Sequence, residues 1–213
     1  MLAHLHSPNH FPMISLITRI DARVLESLYA IRDRDTVQIL IYITELGDSM
    51  FIIGILACLV LVFLARHNIP YVAGILISTT SAAGSVYILK HLFVRLRPDV
   101  WYRAYPEAGF SLPSGHAALA VALYGFAVYL IMRSSLSRSV RIFATVILTA
   151  LIASIAFSRM YLGVHYLSDV IAGLALGGAC MWLGITALAK LETWKTSGTL
   201  TARALFSSKN NLE

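Results

Sequence analysis

Residues 142–189 read IFATVILTALIASIAFS-R-MYLGVHYLSD-VIAGLALGGACMWLGITALA, two uncharged runs that flank a short segment holding Arg159, His165 and Asp169. Each run approaches or reaches the roughly 20 apolar residues that an α-helix needs to cross a bilayer. Titratable side chains at such a boundary are costly to keep, and they are functional suspects by default. Similar uncharged stretches run from Ser49 to Ala65, Asn68 to Leu89 and Ala117 to Met132. The chain has 213 residues, of which 58% are hydrophobic and 13% charged, too apolar for an ordinary soluble domain. A soluble protein would have nowhere to bury five such helices. The expectation is an all-α integral membrane bundle of about five transmembrane helices, spanning residues 49–190 as one domain.

Residues 1–48 are expected to form an N-terminal tail and interfacial helices. His4, His6 and His10 have no carboxylate or cysteine interleaved, so a disordered terminus is preferred to a metal site. Ile14, Ile17, Val24, Leu28 and Ile31 recur at helical spacing, with Arg19, Arg23 and Glu26 on the other face, the pattern of an amphipathic helix lying in the interface. Asp33-Arg34-Asp35 interrupts it. Thr36 to Leu46 is apolar but short and carries Glu45, which predicts a second interfacial helix. Gly47 should end it, and Asp48 or Ser49 should cap the first spanning helix. A basic start followed by an apolar core is not seen, so no cleavable signal peptide is expected.

The formal charge of +6 is informative by position. Arg66, His67, Arg133, Arg138, Arg141, Lys190 and Lys195 fall on one side, which the positive-inside rule makes cytoplasmic. Residues 191–213 would then be a cytoplasmic tail, and the motif segments would face outward from the cell (inner) membrane. Cys58 and Cys180 lie inside apolar runs with no redox or metal-ligand spacing.

Three segments carry chemistry: Lys90-x6-Arg97-Pro98, Pro113-Ser114-Gly115-His116, and Ser158-Arg159-x5-His165-x3-Asp169. Lys90 and Arg97 stand two turns apart on one helical stripe, a clamp for an oxyanion, and Pro98 marks the exit from the helix. Arg95 and His91 lie off that stripe. Snorkelling toward headgroups is the structural alternative for these cations. Ser114-Gly115-His116 opens a helix, where free N–H groups and the macrodipole suit a phosphate. There the Ser114 hydroxyl can donate to an oxygen, and His116 can give a proton to a departing one. His165 and Asp169 have i, i+4 spacing, so the carboxylate can hold one imidazole nitrogen while the other attacks phosphorus. Arg159 adds a third cation. A helix-surface His–Asp pair is the bland alternative.

In this order the three segments resemble the phosphatidic acid phosphatase type 2 superfamily of membrane lipid phosphatases. The resemblance covers Lys90 to Asp169 and the flanking helices. It implies that His165 forms a phosphohistidine with help from Asp169, and that His116 protonates the leaving group and then activates water. Lys90, Arg97, Ser114, Gly115 and Arg159 would hold the phosphate. Some bacterial members begin with a further spanning helix, which is not expected here. No metal or other cofactor is implied, because the cations supply the neutralising charge and no carboxylate cluster for a hard cation is visible.

The expected substrate is a lipid phosphomonoester or diphosphate, with undecaprenyl diphosphate first by analogy, and phosphatidylglycerophosphate, phosphatidic acid and lipid A phosphates as alternatives. Membrane lipids are the expected surroundings, with no nucleic acid and no obligatory protein partner. A lipid phosphotransferase would use the same site. A transporter would instead place charges or broken helices near mid-membrane, and a soluble vanadium-dependent haloperoxidase would lack the apolar helices. Gly173-x3-Gly177, Gly178 and Gly184 are expected to allow close helix packing. Trp101, Tyr102, Tyr105 and Phe110 are expected to form an interfacial belt or to line a lipid route.

Overall fold

The computed structural model describes residues 12–210. His4, His6 and His10 lie outside them. The elements are α1 (Pro12–Ala30), α2 (Arg34–Glu45), α3 (Ser49–Ala65), α4 (Ile69–Phe93), a 3₁₀ turn (Val100–Tyr102), α5 (Gly115–Ala120), a π-helical stretch (Val121–Gly125), α6 (Phe126–Arg133), α7 (Arg138–Tyr161) and α8 (Leu167–Asn210). Three starts are capped by their own side chains: Asp33 accepts from the Thr36 N–H, Asp48 from Met50 and Ser137 from Val140. Asp48 thus caps α3 as expected. Large apolar side chains such as Leu61, Phe143, Val146 and Trp182 point outward from the bundle, as a lipid solvent requires.

Among the described residues, four helical stretches are long and apolar enough to cross a membrane: Ile69–Phe93, Gly115–Arg133, Arg138–Tyr161 and Leu167–Thr196. The second is α5, the π stretch and α6 read as one rod. A fifth arises only if α2 and α3, bent by 42° at their junction, count together. Thr36 to Leu46, expected as a short helix, lies within α2 and its C-cap, and α2 packs antiparallel to α7. Its first residues meet Tyr161, Thr44 reaches Arg159, and Gly47, just beyond its end, abuts Ile155. Glu45 is exposed at the end of α2. Beyond Leu191 the backbone continues as helix to Asn210.

The helices alternate in direction, so residues 46–48, 94–114 and 162–166 gather at one end of the bundle. Close packing holds that end together. A Cβ at Gly173 would stand 2.5 Å from the Ser114 carbonyl oxygen, and one at Gly177 would strike that of Ala118, so α5 rides directly on α8. Gly178, by contrast, faces open space. Across the same end lies α1, with Asp21 and Leu25 buried and Leu16, Ile17 and Ile20 exposed.

Candidate active site

The expected Lys90–Arg97 stripe is not helical throughout. Helix α4 stops at Phe93, and Val94 adopts a left-handed conformation with φ of 49°. Arg97 therefore enters from an irregular segment, which lets its guanidinium turn inward, where it is 7% exposed. It donates to the carbonyls of Ala108, Gly109 and Val164 and lies 3.0 Å from His165 Nε2. Lys90 remains on α4 and donates to the Phe110 carbonyl at 2.8 Å. Both border a cavity of about 300 Å³ that they share with Gly115, His116, His165 and Glu107. Ala83, Val86, Tyr87 and Leu119 form an apolar wall of this cavity, and the α2–α3 bend supplies Asp48 and Ser49.

Ser114 precedes α5 but does not cap it. Its N–H donates to the Asp169 carbonyl at 3.0 Å, while its buried hydroxyl has no partner. A hydroxyl in that state can donate to an oxyanion without first giving up a bond. Gly115 sits against Val86, and His116 lies beside Gly47.

Arg159, at the end of α7, is fully buried. One terminal nitrogen donates to Thr44 Oγ1 at 2.9 Å and to the Tyr105 hydroxyl. The other pairs with Glu107 at 2.9 Å, and Nε has no partner. The segment after it is held tightly: Gly163 has φ of +70°, and the Tyr102 carbonyl occupies the space a side chain would need. Only glycine satisfies both conditions. Arg32 donates to the carbonyls of Tyr102 and Tyr161, clamping this loop to the one before α5.

His165 precedes α8 by two residues and is 2% exposed. Its Nδ1 stands 3.6 Å from Asp169 Oδ2, an ion-pair distance and too long for the hydrogen bond expected from the spacing. Asp169 Oδ2 instead accepts the Tyr166 N–H at 2.9 Å. As the third residue of α8 it reaches back to the residue before the helix, as in a capping box. A guanidinium can only donate, so its approach to Nε2 leaves the imidazole proton on Nδ1, toward Asp169, and a lone pair on Nε2. Burial, then the charges of Arg159, Arg97 and Lys90, hold this imidazole well below its usual pKa. It is therefore neutral, with an unprotonated Nε2.

All eight residues singled out in the sequence meet at this end: Lys90, Arg97, Ser114, Gly115, His116, Arg159, His165 and Asp169. Five that the sequence reading did not place in the site join them. Glu107 pairs with both Arg97 and Arg159. Burial pushes its carboxyl up, but Arg159 and then Arg97 outweigh this and hold it at about 2. Tyr105 turns inward to Arg159, so it does not belong to an outer belt, whereas Trp101 is 81% exposed. Thr44 and the pair Arg95–Asp21 complete the set. Asp21 had a legible signal. It falls between Ile17 and Val24 in the three-four spacing of the α1 stripe, a carboxylate where an apolar residue belongs.

The sequence pattern of the PAP2 superfamily matches residues 71–192. The chain is 29% identical over 163 residues to phosphatidylglycerophosphatase B of Bacillus subtilis (strain 168), covering 74% of this chain and 77% of that one. It is 36% identical over 90 residues to lipid phosphate phosphatase delta of Arabidopsis thaliana, which is 41% of this chain but only 22% of that longer protein. Among solved structures, the transmembrane PAP2-type phosphatidylglycerolphosphate phosphatase from Bacillus subtilis aligns with a TM-score of 0.74 at 24% identity, over 85% of this chain and 89% of that one. LpxE of Aquifex aeolicus aligns with a TM-score of 0.62 at 20% identity, over 78% and 94%. The fold is that of a membrane-embedded, all-helical PAP2 protein.

Proposed function

The chain belongs to the PAP2 superfamily, and we propose that it is a lipid phosphatase that works through a phosphohistidine on His165. The observation that carries this reading is the Nε2 lone pair of a buried, neutral His165, which borders the same cavity as His116, Lys90 and Arg97. Nε2 attacks phosphorus, the bond to the leaving oxygen breaks, and His116 supplies that oxygen with a proton. His116 then takes a proton from water, whose oxygen attacks phosphorus and breaks the P–N bond. Inorganic phosphate leaves and neutral His165 returns. The Asp169 carboxylate, facing Nδ1, offsets the positive charge that the ring gains during attack.

Lys90, Arg97, Arg159, the Ser114 hydroxyl and the backbone at Gly115 are the proposed phosphate ligands. They are donors set in advance around the charge that builds on the phosphoryl oxygens. No metal is required in this scheme. Glu107 holds Arg97 and Arg159 from within the site, so a phosphate dianion displaces a carboxylate as it binds. The apolar wall of Ala83, Val86, Tyr87 and Leu119 suits the chain-bearing part of a lipid.

Phosphatidylglycerophosphate is the proposed substrate, supported by the Bacillus relative, which is 29% identical over 74% of this chain. Undecaprenyl diphosphate, the first expectation from sequence, ranks after it. The charge pattern of the loops supports an outward-facing site in the cell membrane. The test is phosphate release by the detergent-solubilised protein from each purified lipid in turn: phosphatidylglycerophosphate, phosphatidic acid, undecaprenyl diphosphate and a lipid A phosphate. Free phosphate from a single lipid, with no second lipid present, identifies a hydrolase and not a phosphotransferase. His165→Ala should abolish it while the protein stays folded. Release at the wild-type rate from that variant would overturn the scheme.

A further inference from the structure

Arg95 and Asp21 take no part in the steps above, yet they form a dense, partly buried polar cluster at the start of α8. Asp21, from α1, is 2% exposed. Its Oδ1 accepts the Ser168 N–H at 2.9 Å, and its Oδ2 accepts the Ser168 hydroxyl at 2.6 Å and Arg95 Nη2 at 2.7 Å. The other terminal nitrogen of Arg95 donates to the Ser168 hydroxyl and to Asp169 Oδ1, both at 2.6 Å. The Tyr166 ring lies 4.4 Å from the guanidinium carbon. One guanidinium thus bridges two carboxylates, one on α1 and the other facing His165.

A tie that only docked α1 onto the bundle would have no need of Asp169. Here Arg95 engages Oδ1 of that carboxylate, while Oδ2 accepts the Tyr166 N–H and faces His165 Nδ1. With both oxygens engaged, the terminal torsion of the aspartate, which is otherwise broad, has one setting. We propose that Arg95, held by Asp21, is a positioning residue that fixes Asp169 against His165, so that α1 supports the catalytic pair. The proposal rests on the phosphohistidine reading of His165. The groups facing this pair are Arg95 and Asp21, Tyr166 from the loop, and Lys90, Arg97, Arg159 and Glu107 across the cavity.

Charge gives the test a signature. Arg95→Gln leaves the charge of Asp169 uncompensated, which favours the imidazolium of His165, so the acid limb of the kcat–pH profile moves up. Asp21→Asn frees Arg95 to serve Asp169 alone and removes a nearby negative charge, so the limb moves down. Measured on phosphatidylglycerophosphate in detergent micelles, each variant should lose about tenfold in kcat, the scale of one hydrogen bond to a charged group, with KM within about twofold. The Arg95→Gln/Asp21→Asn double variant leaves no unpaired charge between these two positions and should bring the limb back toward wild type while kcat stays low. Thermal melts in the same detergent separate catalysis from folding. Opposed shifts in well-folded variants support the proposal. A wild-type profile in both, or a loss in both without opposed shifts, overturns it while leaving His165 intact. Full activity in His165→Ala would instead remove the reading on which it rests.

Discussion

Two arginine–carboxylate pairs in this molecule share the same separation, 2.9 Å, and sit at opposite ends of the bundle. Arg159–Glu107 lies in the site with the arginine side chain 0% exposed; Arg133–Glu192 lies where α6 meets α8 with exposures of 39% and 33%. Distance alone would rank them equally, but their surroundings do not. At the open end each ion keeps most of its hydration, and such a pair contributes about 0–1 kcal/mol. At the closed end the guanidinium has exchanged water for Thr44, Tyr105 and Glu107, and an anion that reaches it meets a charge with little solvent to screen it. Removing one partner of such a pair costs far more than the pair contributes, because the survivor is left buried and alone. Burial leaves the charge of one pair little screened and the other pair a surface contact.

The sharpest challenge to that contrast is Arg159→Lys, which keeps the charge but loses the fork. It should lower kcat/KM about 100-fold or more, in the range seen when one fixed donor to a developing oxyanion is removed. A variant within a few fold of wild type would show that the buried pair is as inert as the exposed one. The two ends should also differ in which side of the membrane they face. A cysteine at Trp101 should react with a membrane-impermeant maleimide in intact cells, and one at Ser137 should not. The reverse pattern would place the site in the cytoplasm.

A smaller effect is expected at Glu107. Held at about 2, its carboxyl stays ionised across any assay range and competes with phosphate for Arg97 and Arg159. Glu107→Gln should therefore tighten inhibition by orthovanadate several-fold on the scale of a lost surface-to-buried ion pair, and EDTA should leave turnover unchanged in both forms. Weaker vanadate inhibition would mean that Glu107 orients the arginines instead of competing with substrate. The smallest change should follow Arg133→Ala: unaltered kcat/KM, and a melting temperature within about 2–4 °C of wild type. A larger drop would show that the far end carries more of the fold than its exposure implies.

Much of this was legible in the primary structure. Uncharged runs of membrane length gave the helices from Ile69 onward, because a bilayer leaves backbone polar groups no partner outside a helix or closed barrel. The residues of the three motifs marked one end, since a charged side chain is tolerated only there or in a protein interior. Local spacing misled where the backbone left regular geometry. Lys90 and Arg97 looked like one stripe, but Val94 ends the helix between them. His165 and Asp169 looked like a hydrogen-bonded helical pair, but His165 precedes the helix that Asp169 caps. For Thr36 to Leu46, composition predicted a short helix, while its contacts with α7 join residues too far apart in the chain to be read from it.

Sequence alone determined that the chain is a membrane-embedded helical bundle, and it named eight polar positions that gather at one end of it, because hydropathy and motif spacing are properties of neighbours along the chain. Tertiary structure alone decided what each of those residues touches. Glu107 on Arg159, Arg97 on His165 Nε2, and Arg95 between Asp21 and Asp169 join positions far apart in the chain. Buried charges take whichever partners the packed helices bring within reach, and no periodicity in the sequence encodes that choice.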